Sequence, residues 1–235
     1  MRAVLAAAAL VLAAAVFATP REAAARYACS KTGEVHFRAA DGTRLAGLRF
    51  GKSQTAVVLA HELGGGACQW MPYARRLAAK GYLTLAFDFR GYGSSQTRTG
   101  SAKWRLPMDV NAAAKEARKL GAKHVILVGA SMGGTAVLTA TPNAHPPVNA
   151  VVSLSGPADF GRMNAEAAAP KLTVPVLYMV GSLDQDFVPD AHTLYDATVV
   201  QDKTLEVRDT ANHGVRLLGD PATRAIFEQF LAAHR

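Results

Sequence analysis

A serine between glycines is the residue whose surroundings most clearly favour nucleophilic chemistry in this chain. Residues 129–134 have the sequence GASMGG, which follows an apolar run and precedes a helical pattern. A nucleophile at a sharp strand-to-helix turn needs neighbours without side chains because the turn is crowded, and Gly129 and Gly133 meet that need. Such a turn lifts the Ser131 hydroxyl above the sheet, beside a helix N-terminus that favours negative charge. We therefore predict that Ser131 is a nucleophile.

A serine hydroxyl is a weak nucleophile, so a histidine must take its proton and a carboxylate must orient that histidine. When the serine sits at such a turn, the chain order is serine, acid, histidine. His192 falls inside a predicted helix and His234 is next to the last residue, whereas His213 lies in a loop after a predicted strand. His213 is therefore the expected base.

Two carboxylates are candidates for the acid. Asp184 and Asp186 both follow an apolar strand pattern that ends at residue 180. Loops that leave the carboxyl ends of parallel strands are where such sheets bind their ligands. Hydrophobic periodicity does not distinguish the two, and both stay open on the residues alone.

Attack on a carbonyl also needs backbone N–H groups that stabilise the oxyanion. One is expected to be the amide of Met132, directly after the nucleophile. The other is expected in the loop 61–66, HELGGG, which follows the apolar strand pattern 56–60. Its three consecutive glycines permit a close approach of the backbone to a ligand.

The elements that must position these residues alternate along the chain. Strand patterns occupy 34–38, 45–50, 56–60, 82–87, 124–128, 150–154, 174–180 and 204–207, and helical patterns occupy 71–79, 110–120, 135–141, 191–198 and 222–231. The first two strands flank a turn signal at Asp41-Gly42 and are expected to form an antiparallel hairpin. The rest predict an α/β fold with one mostly parallel central sheet and helices on both faces.

The chain resembles the α/β-hydrolase superfamily, in its uncapped esterase, lipase and dienelactone-hydrolase-like branch. The resemblance covers nearly all of the chain after the first eighteen residues and is carried by the loop from His61, the segment 88–95, the turn 129–134, the segment 181–184 and His213-Gly214. It implies Ser131 as nucleophile, Asp184 as acid, His213 as base, and the amides of Leu63 and Met132 as oxyanion donors. The segment 88–95 resembles a structural loop of the family and receives no catalytic role.

Three details of the sequence depart from the family's usual pattern or test it. The residue after His61 is usually glycine and is Glu62 here. The family places its acid three residues after the glycine that ends the strand, as Asp184 follows Gly181. A Val-Pro pair often begins three residues beyond the acid, whereas Val188 is four beyond Asp184 and two beyond Asp186. The glycine spacing starts from a rigid strand end, and it favours Asp184.

The resemblance implies acyl transfer to water without a cofactor or a metal. Carboxylic esters are the expected small-molecule substrates, with amides and thioesters as further candidates, and perhydrolysis could use the same triad. Only residues 155–173 separate two strands where capped relatives insert a helical domain, so an open site is expected. The alternative from another class is a catalytically silent hydrolase-fold binding protein of the cell envelope. Its mark would be a missing triad residue, and none is evidently missing.

The N-terminus predicts export. Residues 1–18 have a short positive start and then an apolar stretch from residue 3, typical of a cleaved signal peptide. A retained membrane anchor is the competing interpretation, but the stretch is shorter than the roughly 20 residues that a bilayer requires. We expect a signal peptide over 1–18, an extended segment over 19–33 and one hydrolase domain over 34–235. The mature protein is expected to be secreted, periplasmic or in the cell envelope, without stable membrane insertion.

The charge distribution and the two cysteines bear on nucleic-acid binding, on a disulfide and on metal binding. The net charge is +8, but the basic residues are scattered and no run of five like charges occurs, so nucleic-acid binding is not expected. Two cysteines in an exported protein favour a disulfide, here between Cys29 and Cys68. Neither belongs to a CxxC pair, which leaves a zinc site unsupported. The sequence carries no signal for the oligomeric state.

Overall fold

An antiparallel hairpin lies near the start of the residues that the structure describes. The computed structural model describes residues 29–30 and 32–235, so the predicted signal peptide and most of the segment 19–33 lie outside the described residues. Strands β1 (Glu34–Arg38) and β2 (Arg44–Phe50) pair antiparallel around a turn at Asp41-Gly42, where Gly42 has a φ of 79°. A positive φ carries no steric cost for glycine, which has no Cβ.

The hairpin belongs to a central sheet that has eight strands among the described residues. The remaining members are β3 (Thr55–Ala60), β4 (Leu83–Asp88), β5 (His124–Ala130), β6 (Ala150–Leu154), β9 (Val176–Gly181) and β10 (Lys203–Arg208). Their order is β1-β2-β4-β3-β5-β6-β9-β10, and every pair beyond the β2–β4 pair is parallel. All residues of β3, β4, β6 and β9 are buried, as expected for parallel strands covered on both faces. The predicted mostly parallel sheet in a single domain is therefore confirmed.

Within the described part of the chain, five α-helices cover the two faces of this sheet. They are α1 (Met71–Ala79), α2 (Leu106–Lys119), α3 (Met132–Ala140), α4 (Val188–Ala197) and α5 (Pro221–Ala233). On one face, Val58 and its strand neighbours pack with α2, α3 and α4. On the other face, Val57 and Leu59 pack with α1 and α5. Alternate residues of one strand thus feed two hydrophobic cores, because successive side chains of a strand point to opposite faces.

The connection after β6 contains more structure than the sequence pattern indicates. Residues 155–173 include a small antiparallel hairpin, β7 (Asp159–Phe160) and β8 (Met163–Asn164), and a short 3-10 turn, Ala169–Lys171. The Phe160 ring packs edge-on against Trp104, which ends a short 3-10 helix, Gly100–Trp104, before α2. Residues 155–173 contain no inserted helical domain.

A disulfide ties the first described residues to the body of the domain. Cys29 and Cys68 are bonded, with their Cα atoms 5.7 Å apart across 39 residues of sequence. Cys68 belongs to the 3-10 turn Ala67–Trp70, directly after the glycine-rich loop. Within the described residues, no helix is both long and apolar enough to cross a membrane.

Candidate active site

Ser131 occupies a strained turn between β5 and α3. Its φ is 48° and its ψ −119°, a conformation that costs a non-glycine residue free energy and persists only where the surroundings enforce it. A methyl group on Gly129 would collide with the Gly133 carbonyl, and one on Gly133 would collide with the Ala60 carbonyl at the end of β3. The glycines are therefore required because the backbone packs this closely around the serine. The first turn of α3 consequently abuts the loop that follows β3.

His213 and Asp184 form a hydrogen-bonded pair. His213 Nδ1 lies 2.8 Å from Asp184 Oδ2, and both side chains are largely buried. A carboxylate only accepts, so Nδ1 carries the proton and Nε2 is left as the acceptor that a serine hydroxyl needs. Asp186 is exposed and makes no hydrogen bond to His213 in the described structure. The fold thus brings Asp184, and not Asp186, to the histidine.

Neighbouring strands create this pair. β9 and β10 lie side by side and in parallel, so the loops that carry Asp184 and His213 leave the sheet at the same edge. A side chain on Gly181 would collide with the Thr210 carbonyl, and the Leu183 amide donates to that same carbonyl over 3.1 Å. The absence of a side chain at Gly181 therefore lets the two loops meet immediately before the acid.

The residue after His213 contacts the elements around Ser131. Gly214 has a φ of 57°, and its N–H donates to the Ser155 hydroxyl over 3.2 Å. A Cβ on Gly214 would lie 3.5 Å from the Ala130 Cβ, which places this loop beside the residue that precedes the nucleophile. No hydrogen bond joins the Ser131 hydroxyl to His213 within residues 32–235. Such bonds are often long in ligand-free enzymes and shorten when substrate binds.

Ser155 is a site residue that the sequence analysis missed. It is buried at the end of β6, has a φ of 49°, and anchors the His213 loop through its contact with Gly214. A positive φ at a serine leaves no trace in the sequence pattern. The only available signal was its position directly after a predicted strand.

The glycine-rich loop is held by its own hydrogen bonds. The Glu62 carbonyl accepts from His61 Nδ1 at 2.7 Å and from the Gly65 amide at 3.0 Å. Because the peptide unit is planar and trans, the Leu63 N–H points opposite to the Glu62 carbonyl, so the bonds that orient this carbonyl also orient the N–H. Neither the Leu63 nor the Met132 amide donates a hydrogen bond to any described residue. Both amides are thus available to an external acceptor.

His61 has a structural part in this arrangement that its sequence position did not reveal. Its Nε2 accepts from the Phe89 amide at 3.1 Å, so both ring nitrogens are used and the ring is neutral. Burial lowers the pKa of His61, in keeping with that neutral state. Its ring also packs against Tyr92, whose hydroxyl contacts the Met132 sulfur at 3.7 Å. His61 therefore braces the loop after β3 against the loop after β4.

The segment 88–95 holds its own backbone and that of the turn at Ala67 in place. Asp88 accepts from the Ala67 amide at 2.7 Å and from the Ser94 amide at 2.9 Å, and its own carbonyl accepts from the Ser95 hydroxyl. These contacts are those of a structural loop.

Among the described residues, no cluster of three or more histidine, cysteine, aspartate or glutamate side chains could hold a metal ion.

Comparisons with known proteins find similarity to the α/β-hydrolase fold and to solved esterase and lipase structures. A family model described as the alpha/beta hydrolase fold matches residues 55–172. An esterase from Rhodococcus sp. superposes with a TM-score of 0.73 at 16% identity, covering 87% of this chain and 100% of its own. An esterase from Pyrococcus furiosus gives 0.70 at 20% identity, covering 85% and 88%, and a monoacylglycerol lipase from Paleococcus ferrophilus gives 0.68 at 20%, covering 81% and 99%. Among curated proteins, no match was found.

Proposed function

Because this chain belongs to the α/β-hydrolase fold family, we propose that it hydrolyses carboxylic esters with Ser131 as its nucleophile. The observation that carries the proposal is the arrangement at one sheet edge. A serine in a strained turn lies beside a loop whose histidine is hydrogen-bonded to Asp184 at 2.8 Å. A nucleophile, a base and an orienting acid are the parts that acyl transfer requires, and here they lie after β5, β10 and β9, respectively.

The proposed reaction proceeds in two halves. Ser131 Oγ attacks the ester carbonyl while His213 Nε2 takes its proton, and Asp184 stabilises the imidazolium that forms. The amides of Leu63 and Met132 donate to the oxyanion of the tetrahedral intermediate. His213 then gives its proton to the leaving alcohol, and the acyl group remains on Ser131. A water molecule, deprotonated by His213, attacks this acyl-enzyme, and His213 returns the proton to Ser131 Oγ as the acid leaves.

Esters are the substrate class with the best support. The solved structures similar to this chain include esterases and a monoacylglycerol lipase. Two large apolar side chains lie exposed on the loops of the site, Leu63 with 60% and Leu183 with 58% of its surface accessible. An apolar rim of this kind suits the acyl or alcohol part of an uncharged ester better than an ionic substrate.

A panel of p-nitrophenyl esters of graded acyl length, run beside a thioester and a peptide substrate, tests the function. We expect turnover of at least one ester, and labelling of the protein by a fluorophosphonate, because an activated serine attacks both. If no ester, amide or thioester is cleaved and the fluorophosphonate does not react, the enzyme proposal fails. A silent binding protein with the same fold then becomes the better hypothesis.

We also propose export, on the pattern of residues 1–18 and the disulfide between Cys29 and Cys68. Disulfides persist in oxidising compartments and are rare in the cytosol.

N-terminal sequencing of protein from its native host should begin near Thr19, or somewhat later if cleavage uses the stretch 23–25. Thiol titration under denaturing, non-reducing conditions should find no free thiol. A chain that begins at Met1 in a cytosolic fraction, with two free thiols, would contradict export.

A further inference from the structure

The Glu62 side chain joins two loops that the sheet keeps apart. Its Oε1 accepts a hydrogen bond from Gln69 Nε2, and Gln69 Oε1 accepts in return from the Glu62 amide. Its Oε2 accepts from the Val215 amide at 3.4 Å and fills the space that a side chain on Gly214 would need. Glu62 follows β3, whereas Val215 follows β10, and three strands separate β3 from β10 in the sheet. The carboxylate therefore spans the site from one side to the other.

Both ends of this bridge adjoin residues of the proposed mechanism. Leu63, whose amide is a proposed oxyanion donor, shares a peptide unit with Glu62. His213 is two residues before Val215 and directly precedes Gly214, where an added side chain would collide with Glu62 Oε2. We propose that Glu62 is a positioning residue, whose carboxylate sets the His213 loop and the Leu63 amide relative to each other. This inference rests on the proposed function for its effect on catalysis, but the bridge itself does not.

The bridge has firm anchors at both ends. On one side, Gln69 is adjacent to Cys68, so the disulfide to Cys29 holds the turn from which Gln69 reaches Glu62. On the other side, Val215 is buried, with 4% of its surface exposed. Catalytic groups must be held within about 0.5 Å of their productive positions, which isolated loops rarely achieve without such support. A side chain with two acceptor oxygens meets this need because each oxygen serves a different loop.

Kinetics of two variants test the effect on catalysis. Glu62→Ala removes both contacts, and we expect kcat on p-nitrophenyl acetate to fall about 10- to 100-fold, with KM within about threefold, because misplaced groups slow the chemical step. Glu62→Gln keeps one acceptor oxygen and should recover a large part of that loss. The matched control is Glu228→Ala, which removes a partly buried glutamate bound to Arg76 and Lys80 on the outside of the domain. Its kcat should equal that of the wild type.

Amide hydrogen exchange tests the bridge without using activity. We expect the Val215 amide to exchange roughly tenfold faster in Glu62→Ala than in wild type, while amides of β5 are unchanged. Glu62→Gln, which keeps one acceptor oxygen, should show a smaller increase in the same exchange rate and serves as the test if the alanine variant does not fold. A kcat within twofold of wild type together with unchanged Val215 exchange overturns the inference. If the wild type cleaves no ester, the proposed function fails, and Val215 exchange alone then supports or overturns the bridge.

Discussion

Ser131→Ala is expected to abolish ester hydrolysis and fluorophosphonate labelling, with kcat lowered by about 10⁴-fold or more. The reason is that the variant has no oxygen to form the acyl-enzyme, and water must attack the ester directly. Initial rates on the best p-nitrophenyl ester, and mass spectrometry of the fluorophosphonate-treated protein, measure the two effects. The melting temperature should change little, because the serine hydroxyl makes no hydrogen bond to another described side chain and alanine fits the same space.

Ser153→Ala is the matched control for this substitution. Ser153 is also a buried serine near the turn, with its hydroxyl against Gly134 and Gly156 and without a hydrogen-bond partner among the described residues. It should keep wild-type activity and labelling. Retained hydrolysis in Ser131→Ala, or an equal loss in Ser153→Ala, would show that the nucleophile is elsewhere.

Asp184→Asn is expected to lower kcat by about 10⁴-fold, because an asparagine stabilises the wrong histidine tautomer and no longer offsets the imidazolium charge. The Asp184 carboxylate accepts from His213 Nδ1 in the structure, so the amide that replaces it would favour the proton on Nε2. A histidine in that state has its lone pair on Nδ1, which faces residue 184 and cannot take the serine proton. Steady-state kinetics on one ester over a range of concentrations separate kcat from KM.

Asp186→Asn provides the comparison. It removes an equal charge from an exposed position, two residues after Asp184 in the chain. We expect its kcat to stay within about tenfold of wild type, since only screened surface charge is lost. If Asp186→Asn proved the more damaging variant, the acid would be Asp186, and the roles of Ser131 and His213 would stand.

Local patterns in the sequence were enough to predict the order of the α-helices and of the strands in the central sheet. Parallel strands buried on both faces are continuous apolar runs, and helices carry a 3.6-residue stripe, so both are visible in the chain itself. The predicted helix 71–79 has the bounds of α1, Met71–Ala79. The predicted helices 110–120 and 191–198 begin too late, because α2 and α4 start at Leu106 and Val188. A proline stands second in each, where a helix tolerates it although it interrupts the apolar pattern.

Chain order and spacing also indicated the candidate site, up to one ambiguity. The turn around Ser131 is specified by nearby glycines, so a short window of sequence contains its cause. The choice between Asp184 and Asp186 depends on how a loop folds after β9. Hydrophobic periodicity left both open, and only the glycine spacing of the resembling family favoured Asp184. Contacts of that loop with the end of β10 bring Asp184 to 2.8 Å from His213.

The sequence by itself therefore determined the α/β fold class, the strained serine turn and the chain order of the proposed triad, because local periodicity and glycine positions cause them. Tertiary structure alone decided which groups surround that triad. Ser155 meets Gly214 across 59 residues, Glu62 meets Val215 across 153, and His61 meets Phe89 across 28. None of these side chains has a local signature for its partner. Their contacts exist because the parallel strands of one sheet deliver distant loops to the same edge of that sheet.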